Sequence, residues 1–486
     1  MSDPPLAPHP PDLASEARPD ASDERRLSLG GFNVVLLLFG SLLNLVAYQT
    51  AVPLLVGAIL LTGGVVSLLL PKWGGREERR IFIRLFCVYW VMAGVAAIYA
   101  SNLGDYMQLN SDPGGFHEIS AYKARGFRLE ELRLLTEGSL AVVVWASAYD
   151  LFAELGIERE RYVGILINVL AGGFTGVLAL KMARHIFGED LYRFRRLTWL
   201  LGSCGLLWLF AGIHLRDGMV LLGVTALAWA WVRFVSRPNT PMRLVQVTVA
   251  TLVSLLLLPF LRAEFFYVPF AFAIAATISL ILGIESNQGR LVARTLAALG
   301  FVCSLAYLLT AEESLQETFL QRNEAYTEGM YEQHGADSLG TAMIVGQSLP
   351  LRLLLGSAYL YVFPIPAWGG FQLESAYNLF KSINVLFFYV VLPFVGLGIW
   401  QLWREPARRK PGLIFCLVVI AGFTLGIAGT SLENRHLGAF FVPLFLLALV
   451  PDTRDPVAAR LLQRILFVTL AAMVVVHLLW ATLKFA

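Results

Sequence analysis

Charge is scarce in this chain. Asp, Glu, Lys and Arg together make up 15% of 486 residues, where an ordinary soluble domain carries roughly 25%. With 57% hydrophobic residues and a mean hydropathy of +0.65, that scarcity excludes an ordinary soluble globular protein and points to the polytopic membrane class. The net charge is only +3, too small to suggest a nucleic-acid partner. Cysteine is nearly missing as well. Cys87, Cys204, Cys303 and Cys416 each sit in an apolar run without metal-ligand spacing, and so read as soft core residues rather than disulfides or ligands. No internal repeat is visible. Residues 1–29 lack any apolar stretch and are rich in Pro, Asp and Ala, so they are expected to form a disordered cytoplasmic tail. They also lack the apolar core of a signal peptide, which leaves the first membrane helix as the expected insertion signal.

What the chain does have is apolar runs long enough to span a bilayer, which takes about 20 residues. They fall at 30–48, 51–70, 81–100, 162–182, 197–213, 218–235, 243–261, 264–283, 293–310, 380–403, 413–430, 437–450 and 465–483. The expected fold is therefore all-α, a single transmembrane domain over 30–486 with about thirteen helices and additional helices lying beside the membrane. Basic loops follow every second run, among them Arg76, Arg79 and Arg80, then Lys181, Arg184, Arg193, Arg195 and Arg196, then Arg404, Arg408, Arg409 and Lys410. Basic loops stay in the cytoplasm, so this alternation puts the N-terminus there. It also leaves two large external segments, 101–161 and 311–379. Residues 139–156 are apolar but carry Asp150 and Glu154, and the alternation requires them to lie along the membrane surface rather than cross it. The stretch 349–370 is expected to stay outside or re-enter, with Pro364 and Pro366 breaking its helix.

The polar residues expected on the external face are unusual. "LNSDPGGFHEIS" (109–120) offers Asp112, His117 and Glu118 around what reads as a Pro-Gly-Gly turn. "GIHLRDGM" offers His214, Arg216 and Asp217; "LPFLRAEFF" offers Arg262 and Glu264; "TSLENRHLG" offers Glu433, Arg435 and His436. Ionisable groups at membrane depth are expensive and point to function. Each has a plainer reading: Arg216–Asp217 and Arg262–Glu264 as structural ion pairs, His436 as an interfacial residue, His117–Glu118 as a solvated loop. What sets them apart is arginine recurring at external helix ends, against the positive-inside trend. Its planar fork binds phosphate oxygens bidentately, and acids share the face. That combination suits a reaction needing a base and an anionic leaving group.

With these residues in place the chain resembles the GT-C superfamily of membrane glycosyltransferases and the related multi-spanning polymerases of bacterial surface polysaccharides. "SDPGGFHEIS" resembles an Asp-x-x-x-Tyr-His-x-(Ile/Leu)-Ala pattern of the first external loop, with Phe116 in place of Tyr and Ser120 in place of Ala. "INVLAGGFTGVLALKMARHIFG", "GIHLRDGMVLL", "VFPIPAW" and "TSLENRHLGAFFVPLFLLAL" resemble later motifs in the same order. The resemblance implies transfer of a sugar from a polyprenyl-phosphate carrier to a glycan or lipid acceptor, on the periplasmic face of a bacterial inner membrane. It gives Asp112 the role of base or ligand to a divalent metal such as Mg or Mn, although no Asp-x-Asp or Glu-x-Asp accompanies it. Asp217 is the second catalytic candidate. Arg216, Arg262, Arg435, His117, Glu118 and His436 are the candidates for holding substrate and phosphate, and membrane lipid is the surrounding partner. A polymerase or ligase acting on a lipid-diphosphate glycan, and a transporter or flippase, stand as alternatives.

Overall fold

The computed structural model describes residues 30–70, 74–103, 112–124, 139–237, 240–283, 344, 347–363, 366–372 and 375–485. The expected tail at 1–29, the expected span at 293–310 and most of the expected external segment at 311–379 lie outside them. Among the described residues the fold is all helical, and nine helices are long and apolar enough to cross a membrane. In chain order the helices are α1 (Gly31–Tyr48), α2 (Val52–Ser67), α3 (Arg76–Leu103), α4 (Asp112–Lys123), α5 (Ser139–Glu154), α6 (Arg161–Phe187), α7 (Leu191–Ser203), α8 (Gly205–Gly212) and α9 (Asp217–Val235). They continue with α10 (Pro241–Leu261), α11 (Val268–Gly283), α12 (Leu349–Val362), α13 (Ala376–Arg404), α14 (Pro411–Gly429), α15 (Asn434–Gly438), α16 (Phe441–Ala448) and α17 (Pro456–Phe485). The architecture is that of a multi-pass membrane protein.

The described residues do not confirm the count of about thirteen full spans, and two expected spans divide for visible reasons. The run 197–213 splits into α7 and α8 at Cys204, whose backbone is extended. There α8 presses directly on α13: a Cβ on Gly205 would sit 2.2 Å from the Phe380 carbonyl oxygen. Asn384 of α13 reaches into the break, and its side-chain oxygen accepts from the Leu206 N–H at 3.3 Å. Irregular backbone survives at membrane depth where protein supplies such a partner. The run 437–450 splits into α15 and α16 around Phe440. Pro443 has no N–H to give to the Ala439 carbonyl, and its ring crowds that carbonyl, so a continuous helix is broken there. The run 51–70 forms the 16-residue α2, one of two shorter apolar helices with α12. Helix α12 closes at Phe363, which is extended as the residue before Pro364 must be.

Helix α6 lies at the centre, packed by α3, α8 and α9. Small residues let aromatic rings in: a Cβ on Gly172 would meet the Tyr89 ring at 2.6 Å and one on Gly173 the Phe82 ring at 2.8 Å. Burial of small residues against large ones is how helices associate in lipid, where no hydrophobic drive separates them from their solvent. Helices α1, α10 and α17 are peripheral and expose apolar side chains such as Val35, Leu256 and Phe467. Cys87, Cys204 and Cys416 are free and buried, as core residues.

Glu78 near the start of α3 pairs with Arg184 near the end of α6, while Phe82 and Tyr89 meet Gly173 and Gly172, so the two helices are antiparallel. The chain therefore leaves α3 and enters α6 at the same end of the bundle. Helix α5 lies within that connection. It buries Trp145, Tyr149 and Phe152 and exposes Val144, Leu151 and Leu155, packing against α4, α6 and α10.

Candidate functional site

Polar side chains gather at the end of the bundle where α3 and α10 finish and α6, α9 and α13 begin. The anchor is Asn168 of α6, fully buried. Its amide donates to the carbonyls of Ile213 at 3.0 Å and Leu215 at 2.8 Å, while its oxygen accepts from the Trp145 indole at 3.3 Å. These bonds satisfy the backbone that links α8 to α9 and fix the positions of His214, Arg216 and Asp217. Helix α10 ends at Leu261, and Arg262 follows in extended backbone.

Arg262 and Asp217 form a buried ion pair at 3.0 Å, with side chains only 4% and 7% exposed. The guanidinium also donates to Nε2 of His436 and lies 3.5 Å from the Glu264 carboxylate. Arginine only donates, so Nε2 of His436 is the acceptor and the ring proton sits on Nδ1, 2.7 Å from the Ser431 hydroxyl oxygen that accepts it. Burial and the adjacent Arg262 push the His436 pKa well below its ordinary value, in keeping with that neutral ring.

Beside this pair is a second one. Lys381, in the second turn of α13, contacts the Glu433 carboxylate at 2.8 Å and lies 4.4 Å from the centre of the Tyr377 ring. The Tyr377 hydroxyl donates to the same carboxylate oxygen at 3.4 Å. Burial alone raises a carboxyl pKa, but Lys381 and then Arg435 outweigh it and hold Glu433 well below the usual range. The turn that carries Glu433 contains Leu432 at φ +49, a left-handed conformation unusual for a residue other than glycine. Leu432 is held there by burial against Tyr359 and Ile344.

Arg435 completes the set. One guanidinium nitrogen lies 3.9 Å from Asp112, at the outer limit of an ion pair. Its Nε is buried with no acceptor among the described residues. Asp112 is the more open partner, its side chain 63% exposed against 17% for Arg435. Arg216 lies over the Phe116 ring at 5.6 Å, joining α4 to the start of α9.

One expectation is corrected, and two candidate residues bond elsewhere or not at all among the described residues. "DPGG" is not a turn: Asp112 begins α4, and Pro113 and both glycines lie in its first turn, where a missing N–H costs nothing. Glu118 is exposed and makes no hydrogen bond or ion pair among the described residues, so it stands apart from the cluster. His117 makes its hydrogen bond to Tyr149 rather than to one of the clustered arginines. Its Nδ1 is 2.9 Å from the Tyr149 hydroxyl, which lies 3.2 Å from His214 Nε2. This chain joins α4 to the core, and burial followed by Arg161 lowers the His117 pKa to about 4.

For a divalent metal, the described residues do not fit. Among them no three His, Cys, Asp or Glu side chains come together as a metal-holding group. Among the described residues Asp112 is paired with a guanidinium, which repels a cation. Of the residues that complete the cluster, Lys381 carried a readable sign, a charge at the start of the apolar run 380–403. Tyr377 and Asn168 carried none, because each acts through a partner distant in sequence.

The chain matches no protein-family profile, no curated protein sequence and no solved structure.

Proposed function

We propose that this protein is a membrane glycosyltransferase that takes a sugar from a polyprenyl-phosphate carrier at the clustered end of its bundle. The observation that carries the reading is the pairing of Asp112 with Arg435: the most open carboxylate of the cluster stands beside a guanidinium whose buried Nε has no acceptor among the described residues. A sugar hydroxyl attacks poorly until a carboxylate within hydrogen-bond reach takes its proton, and such base assistance is worth roughly 10²–10⁴-fold. The departing phosphate gathers charge, which a preorganised guanidinium in a site with little water stabilises. Asp112 is assigned the first role and Arg435 the second, its unpartnered Nε and weakly held terminal nitrogen being turned to phosphate oxygens.

Arg262 and Asp217 receive a different task. Each is engaged with the other in a buried pair, so neither carboxylate nor guanidinium is disposed to exchange its partner for substrate. They position His436 and the start of α9. Lys381 and Glu433 likewise hold the turn from which Arg435 projects. Arg216 and Phe116 form the edge against which α4 carries Asp112. The lipid tail of the donor stays in the bilayer beside the helices, and in this reading the clustered end is the external, periplasmic one.

The test is reconstitution in vesicles with a panel of sugars linked to short polyprenyl phosphates. Consumption of one such donor, strongly reduced in Arg435→Lys, supports the reading, because lysine retains the charge but not the planar fork. Consumption of a lipid-diphosphate glycan alone, or net movement of lipid-linked sugar without any bond cleavage, overturns it in favour of a polymerase or a flippase.

A further inference from the structure

At the other end of the bundle two cavities meet. A cleft of about 870 Å³ opens between α2 and α10, with α6 and α9 as its floor; Phe174, Leu178, Ala226, Val249 and Val253 give it an almost wholly apolar lining. Helix α10 is a peripheral helix that exposes Val249 and Val253, so the cleft faces the hydrocarbon of the bilayer. It runs into a second cavity of about 610 Å³, and the two share Leu178, Trp229, Arg233, Arg243 and Gln246. The second cavity is strongly basic. Lys181, Arg184, His185, Arg233 and Arg243 line it against a single acid, Glu78. Glu78 is already paired with Arg184, which also holds Glu189 at 2.6 Å.

The cations are fixed in place. Lys181 and Arg233 lie 5.7 and 5.6 Å from the Trp229 ring. Arg243 donates to the Arg233 carbonyl at 2.9 Å. The Trp229 indole N–H, at the junction of the two cavities, is buried without an acceptor among the described residues. An apolar cleft open to lipid, continuous with a basic cavity that also holds an unpartnered donor, has the polarity of a lipid with an anionic headgroup. It is distinct from the candidate site: on α9, Arg233 is about 24 Å from Asp217 at 1.5 Å per residue.

We propose that this composite cavity binds an anionic phospholipid, with its acyl chains between α2 and α10 and its phosphate held by Lys181, Arg233 and Arg243. Positively charged pockets between membrane helices select headgroups by charge, and the apolar cleft supplies the part of the affinity that a free anion lacks. The proposal does not depend on what reaction the opposite end performs.

The experiment is lipid retention by the purified full chain, read by native mass spectrometry after exchange into mixed micelles of phosphatidylglycerol and phosphatidylcholine. Phosphatidylglycerol is expected to be retained at least about 10-fold over phosphatidylcholine. The Arg233→Gln/Arg243→Gln double variant should remove most of that preference. Ala226→Trp, which fills the cleft without altering charge, should reduce retention while leaving the protein folded by circular dichroism; Trp368→Ala, outside both cavities, should leave the phosphatidylglycerol preference as it is. Equal retention of the two lipids overturns the proposal, as does a preference untouched by both cavity variants. It is also overturned if inorganic phosphate at millimolar concentration displaces phosphatidylglycerol completely, since the acyl chains then contribute nothing. If the double variant does not fold, Ala226→Trp and the phosphate competition decide the matter alone.

Discussion

Arginine does different work at the two ends of the bundle. Where α6, α13 and α16 finish, Arg196 donates to the carbonyls of Pro451 at 2.7 Å and Ala448 at 2.9 Å, and Arg193 to Leu449 at 3.2 Å. Arg409 donates to Leu402 and Trp403, and Lys410 to Ile186 at 2.6 Å. All but Pro451, which follows α16, are carbonyls at helix ends, which have no partner inside the helix and draw cations through its dipole. Cations of this end also pair with acids, as Arg193 does with Asp190 and Arg184 with Glu78; at the opposite end Arg262 meets Asp217, Lys381 meets Glu433 and Arg435 meets Asp112. A cation spent on its own backbone is a structural cap. Cations set against carboxylates and a neutral imidazole, one of them with a buried Nε that has no acceptor among the described residues, are what the proposed function rests on.

The comparison breaks most visibly at the buried pair. Arg262→Met leaves Asp217 charged and buried, and is expected to cost about 3–5 kcal/mol. Arg262→Met/Asp217→Leu should regain much of that loss. Thermal unfolding in detergent reads both, and a double variant as unstable as the single one would show that the pair is not the source. Next comes Asp112→Asn. Its side chain is mostly exposed, so stability should hold while sugar transfer falls by about 10²-fold or more. Transfer within a few fold of wild type, at equal protein level, would remove Asp112 as the base.

A third prediction concerns pH. Burial, then Arg161, depresses the His117 pKa from 6.5 to about 4. Below pH 6.5 the unfolded chain takes up a proton that the folded one refuses, so stability is full above 6.5 and declines as pH falls toward 4. Discounted for the part of the ring that water reaches, the loss is on the order of 2 kcal/mol. His214 shifts the same way through burial and its neighbour His117. Replacing His117 by Gln should flatten part of the slope between pH 6.5 and 4, and an unchanged slope would assign it to other groups. The smallest effect belongs to the capping end. Arg196→Gln loses two bonds to carbonyls and should cost about 1–2 kcal/mol, with transfer by the folded fraction unaltered. A selective loss of transfer would mean the two ends are not separate in function.

Much of this fold was legible before any coordinates. The apolar runs correspond to helices wherever the chain is described, because bilayer-length hydrophobic stretches have few other ways to satisfy their backbone. The breaks at Cys204 and Phe440 were not legible. One follows from α8 pressing on α13 and the other from Pro443, whose local effect is overlooked when hydropathy is averaged over a window. At the candidate site Arg262, Arg435, Asp112 and Asp217 stood out as charges at the ends of apolar runs. Their division of labour did not, because exposure and pairing depend on which helices become neighbours.

The sequence alone determined that this is a helical membrane protein with its basic loops on alternate turns and an unusual set of charges between the others. Hydropathy is a sum over residues and their near neighbours in the chain, so it survives without a fold. The tertiary structure decided that Arg262 neutralises Asp217 across 45 positions, that Lys381 neutralises Glu433, and that Arg435 stands among Asp217, Glu433 and Asp112 with its Nε unbonded among the described residues. Coulomb energy depends on separation and on the water that intervenes, and neither exists until the helices have packed.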